Sequence, residues 1–138
     1  MQIDEPPSYI TLDIEIVSKE DLAALKNYLE EKTFILGLNK VDDLFYLSFE
    51  PNYDEKGSPE TSANLIINVL LELPSELKKQ WHNSESRTFD FGFDSGTIAP
   101  SYNLSISPST LKKIAELEAS ITITIYQHRP LQDETEST

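Results

Sequence analysis

Carboxylates are the side chains in this sequence whose number and spacing are best suited to acting as a group. In Thr88 to Asp94, Asp90 and Asp94 alternate with Phe89, Phe91 and Phe93. A strand with this pattern turns its three phenylalanines to one side and its two carboxylates to the other. Positions four apart on a strand are about 13 Å apart, too far to share a proton or to act as a glycosidase pair. Such a face is either solvated or in contact with a partner. Asp42-Asp43 sits where turn chemistry is expected. Between Asp42 and Glu72 there are seven acids against one base, Lys56. This bias suits a solvated surface or a docking face for a basic partner. Tyr46, Tyr53, Trp81 and Tyr102 are the aromatic candidates for desolvated anchors, and Trp81 serves equally well as a core plug. The residues favoured for partner contact are Tyr53, Asp54, Glu55, Trp81, Glu85, Asp90 and Asp94.

Other chemistry finds little footing. His82 and His128 are far apart in sequence, and neither lies in a metal-ligand spacing. Both are expected on the surface, with no metal. There is no Gly-x-Ser-x-Gly elbow, and Gly37, Gly57, Gly92 and Gly96 build no phosphate-cradling loop. No catalytic residue and no cofactor are therefore expected. The absence of cysteine excludes a disulfide framework and thiolate ligation. With 24 acids against 11 bases the net charge is -13, which repels phosphate backbones and makes nucleic acid a poor partner. The longest apolar run, Leu65 to Leu71, is far short of the roughly 20 residues that span a bilayer. Met1 to Glu5 lacks the basic region of a signal peptide. The expectation is a cytoplasmic chain, monomeric or weakly dimeric, that does not engage membranes.

The elements that position these residues are legible from periodicity. The chain's 138 residues suit one domain: residues 1–8 form an extended leader, 9–127 the folded unit, and 128–138 an acidic tail expected to be disordered. Tyr9 to Val17 alternates as a half-buried strand. Ser18 is placed to cap a helix ending near Glu31-Lys32, with strands over Thr33 to Leu38 and Leu44 to Glu50. Ser58-Pro59-Glu60 opens a helix to about Leu73, Pro74 breaks it, and Ser75 to Trp81 forms a further short helix. After the phenylalanine strand, Ser101 to Ile106 reads as a short strand, Pro108 to Glu118 as a capped helix, and Ile121 to Tyr126 as a β-branched strand. Both ends read β-α-β, in keeping with a duplication or with the commonness of cap, helix and strand. The fold class is α+β: a mostly antiparallel sheet of about six strands with helices packed on one face.

The C-terminal third carries a resemblance. Ser107-Pro108-Ser109-Thr110-Leu111, Ile114-Ala115-Glu116-Leu117, Ala119-Ser120-Ile121, Ile123 and Ile125-Tyr126, preceded by Phe89-Asp90-Phe91-Gly92-Phe93, resemble the closing segment of a widespread family of small bacterial domains of unknown function. Some members resemble cytoplasmic immunity proteins that neutralise antibacterial toxins. The resemblance implies no catalytic residue. Taken with the acidity and the missing catalytic motifs, it leads to the expectation of a non-enzymatic immunity protein that occludes a basic toxin domain such as a nuclease. A structural or ligand-binding module without catalysis, or a carboxylate-dependent enzyme, are the alternatives.

Overall fold

The structure, a computed structural model, describes residues 4–52, 57–98 and 101–128. It is α+β. The elements in chain order are β1 (Ser8–Ser18), α1 (Ala23–Leu29), β2 (Thr33–Val41), β3 (Leu44–Pro51), α2 (Pro59–Leu71), α3 (Ser75–Asn83), β4 (Ser86–Asp94), α4 (Pro108–Glu116) and β5 (Ser120–Tyr126). The sheet has five strands in the order β2-β3-β1-β4-β5. Four neighbours pair antiparallel through three interfaces, and β5 joins β4 in parallel.

Strand alternation divides the sheet into two faces. Leu12, Ile14 and Ile16 of β1, Leu47 and Phe49 of β3, and Phe89 and Phe91 of β4 are fully buried beneath the helices. Leu25 and Leu29 of α1 and Ile66, Ile67 and Leu70 of α2 cover them. Burying such a side chain stabilises the fold by about 1.5–3 kcal/mol relative to leaving it exposed. Tyr9 brings a hydroxyl into this core, where it bonds Ser62 Oγ at 2.8 Å.

Helix ends follow the expected chemistry at two sites. Ser58 Oγ accepts the Thr61 N–H at 3.1 Å, and Ser107 Oγ accepts the Thr110 N–H at 3.2 Å, each with proline at the start of the helix. Glu60 of α2 accepts the Ser107 N–H at 2.9 Å, which joins the starts of α2 and α4 and holds its carboxyl below the usual range. α4 stops before Glu118, whose φ of 58° is left-handed.

Three expectations change. The sheet has five strands rather than six, because residues 101–107 form no strand. That stretch lies on the crossover that lets β5 run parallel to β4, and Tyr102 packs edge-on against Phe93 at 6.0 Å instead of joining a ladder. α1 begins at Ala23 rather than at Ser18, because β1 continues through Ser18. Ser18 Oγ takes the Glu20 N–H, and Asp21 takes the Ala23 N–H. The two β-α-β units also differ: β4 and β5 are neighbours, whereas β3 lies between β1 and β2. The acidic tail beyond His128 lies outside the described residues. No helix among the described residues is long and apolar enough to cross a membrane.

Candidate functional site

The helices cover one face of the sheet, and among the described residues the other face is open. The pairing registers assign that open face residue by residue. Thr11, Asp13, Glu15 and Val17 come from β1; Leu44, Tyr46, Ser48 and Glu50 from β3; Ser86, Thr88, Asp90, Gly92 and Asp94 from β4. β2 adds Phe34, Leu36, Gly37, Asn39 and Val41, and β5 adds Thr122, Thr124 and Tyr126. Five of these residues are acidic, Asp13, Glu15, Glu50, Asp90 and Asp94, and none is lysine or arginine.

Three of the acids form a row across the middle of the sheet. Asp13 lies directly opposite Asp90 in the β1–β4 ladder, and on its other side it contacts Glu50 of β3. Like charges directly across a ladder are destabilising, and the sheet responds through protonation. Burial pushes the Asp13 carboxyl up to about 6, and the charge of Glu50, a hydrogen bond to Glu50 and the charge of Asp90 push in the same direction. Two carboxylates can bond only when one holds a proton, so Asp13 donates to Glu50 below about pH 6 and the two repel above it. Asp13 Oδ1 is buried without a hydrogen-bond partner. The neighbours restrain the row: Thr124 Oγ1 donates to Asp90 Oδ1 at 2.7 Å, and Thr11 Oγ1 donates to Glu50 Oε2 at 3.3 Å.

This row borders a shallow cleft of about 580 Å³ lined by Asp13, Glu15, Asn39, Tyr46, Ser48 and Asp90 among others. At the β2 side the cleft gives way to apolar surface, where Phe34 is 57% exposed and Leu36 is 46% exposed. At the β5 side Tyr126 lies over Gly92; a Cβ at that glycine would stand 3.1 Å from the tyrosine ring. The arrangement is an acidic trough with hydrophobic and aromatic side chains at its margin. No group of three or more histidine or carboxylate side chains able to hold a metal ion occurs among the described residues.

The residues expected from the sequence scatter across the molecule. Asp90 is in the centre of the trough. Asp94 lies at the end of the same face but is held internally, accepting the Gly96 N–H at 2.7 Å and lying 2.8 Å from His128 Nδ1. His128 is therefore no surface histidine; its side chain is 13% exposed, and its Nε2 faces Glu5 at 3.5 Å. Glu85 stands at the start of β4, where Lys19 approaches it at 3.8 Å. Trp81 is 1% exposed and donates through Nε1 to Leu117 O at 2.8 Å. It packs in the core between α3 and the end of α4 and offers no ring to a partner. Tyr53, Asp54 and Glu55 lie outside the described residues.

Sequence reasoning missed Asp13, Glu15 and Glu50. Asp13 and Glu15 are visible as the polar members of the β1 alternation, but only the strand order β3-β1-β4 brings them between Glu50 and Asp90. Phe34 and Leu36 were also missed, because their strand motif gives no indication that their side faces solvent. No family model matches the chain, and no curated protein or solved structure matches it.

Proposed function

We propose that the chain is a non-catalytic immunity-type protein that binds a basic protein toxin domain through the open face of its sheet and occludes that domain's working surface. The observation that carries this reading is the composition of the face: five carboxylates, no lysine and no arginine on five strands. Negative charge concentrated over a concave surface speeds encounter with a basic partner. Phe34, Leu36 and Tyr46 supply the desolvated anchors that slow release. Asp13 fits this role because the charged groups acting on it, Glu50 and Asp90, are both acidic: a lysine or arginine entering the trough would relieve repulsion that the free protein bears. Cytoplasmic residence and a nuclease-like target belong to the same proposal.

The test is affinity capture of the tagged protein from its native host, followed by reconstitution with the captured partner. The expected result is one stoichiometric basic protein whose toxicity is suppressed and whose affinity falls steeply with salt. The double variant Glu15→Lys, Asp90→Asn is expected to lose at least tenfold in affinity without a change in fold. Unchanged affinity would remove this face from the binding mechanism.

A second reading, a carboxylate-dependent enzyme, draws on Asp13 alone, since a carboxyl held near 6 beside two further carboxyl groups in a cleft is suited to proton transfer. Turnover of a substrate that disappears in Asp13→Asn would favour it over the binding reading.

A further inference from the structure

β5 ends the sheet, and its outer edge has no ladder partner among the described residues. Proteins normally protect such an edge with charge, proline, a bulge or a covering helix. The opposite edge, β2, has a bulge between Ile35 and Gly37 and carries Lys40. Among the described residues β5 has none of these devices: its sequence, Ser120-Ile121-Thr122-Ile123-Thr124-Ile125-Tyr126, has no charged residue and no proline. α4 delivers the chain to β5 but packs against α2. Ile121, Ile123 and Ile125 lie on the face that is core elsewhere in the sheet, yet they are 39%, 55% and 67% exposed. Beside them is an apolar cleft of about 340 Å³ lined by Pro7, Phe93, Tyr102, Ile123 and Ile125.

From this geometry we infer that the occupant of the β5 edge is a second copy of the same chain, paired antiparallel about a two-fold axis through Ile123. Three features select a second copy. The strand is self-complementary about that residue: Ile123 meets Ile123, Ile121 meets Ile125, and Thr122 meets Thr124, so isoleucines align on one face and threonines on the other. β-branched pairs of this kind are favourable cross-strand neighbours. The axis also stands perpendicular to the sheet and leaves both helix layers on the same side, which joins two five-stranded sheets into one. Finally, a chain of net charge -13 carries a net repulsion against its own copy, and β5 is a strand where two copies meet without like charges facing each other. A strongly basic partner gains no complementarity from an uncharged edge and is better served by the trough. The interface is small against the roughly 800 Å² per partner of a standard complex, so the dimer is concentration-dependent, with a dissociation constant on the order of micromolar or weaker. It carries the two acidic troughs on one continuous surface.

The chain has no cysteine, so single-cysteine variants report the register directly. Residues facing each other across the axis can form a disulfide, whereas Cα atoms more than about 7 Å apart cannot. The expected result is that Ile123→Cys crosslinks to a two-chain species under mild oxidation. Ile121→Cys, whose copies stand about 13 Å apart in this register, is expected not to crosslink. In sedimentation equilibrium the unmodified full chain is expected to approach twice the chain mass as concentration rises, and Ile123→Lys to remain at one chain with an unchanged melting temperature. Three results would overturn the inference: a single-chain mass at every concentration, a dimer that survives Ile123→Lys, or dimerisation only after residues 129–138 are deleted. The last would assign the edge to the chain's own C-terminal residues.

Discussion

Replacing Asp13 with asparagine is expected to stabilise the protein, and to do so only above a defined pH. The shift of the Asp13 carboxyl from 3.8 to about 6 corresponds to about 3 kcal/mol against the charged form. Solvent screening of a partly exposed group reduces this to about 1–2 kcal/mol of stability. Below pH 3.8 the carboxyl is protonated in both the folded and unfolded states, and the penalty is absent. As pH rises towards and through 6 the unfolded chain is already ionised while the folded protein gives up its proton, so the stabilising difference is lost. The substituted asparagine cannot ionise, and its amide retains a donor for Glu50. Thermal unfolding of the two proteins should therefore coincide near pH 4 and diverge by roughly 3–8 °C in favour of Asp13→Asn at pH 8. An equal difference at both pH values, or a variant less stable at pH 8, would refute the assigned origin of the shift.

Arg87 lies on the helix side of β4 and donates to Trp81 O at 3.2 Å, Ser84 O at 2.8 Å and Glu118 O at 2.8 Å, tying together the C-terminal ends of α3 and α4. Arg87→Lys keeps the charge but cannot span these acceptors, and chemical denaturation should show a loss of about 1–3 kcal/mol. Tyr9→Phe removes the buried bond to Ser62 and should cost about 1 kcal/mol by the same assay, with the sheet intact by circular dichroism. Partner affinity should rise with pH through the Asp13 transition near 6, because ionised Asp13 attracts a basic group that its acid form does not; a calorimetric pH series would detect it.

Most of the fold can be read from the sequence because period and capping act locally. Leu12, Ile14 and Ile16 alternate and are buried together, and Ser58 and Ser107 cap the helices that follow them. Ser101 to Ile106 misleads because local alternation says nothing about whether a neighbouring strand is within reach; here the chain is committed to a crossover. The site is harder to read for a related reason. Asp90 is recognisable as a strand-face carboxylate, but its significance depends on Asp13 and Glu50, which lie 77 and 40 positions away and meet it only through strand order. Trp81 shows the opposite difficulty. An aromatic beside charge in sequence suits an interface anchor, and only the packing of α3 against the end of α4 turns it inward.

The central claim, that the acidic open face receives a basic protein, is tested most directly by photo-crosslinking in the native host. A benzophenone amino acid at Asn39, which lines the trough, should capture one basic protein. The same group at Asn68, exposed on α2 over the helical layer, should not. No adduct from position 39, or the same adduct from both positions, would contradict the account.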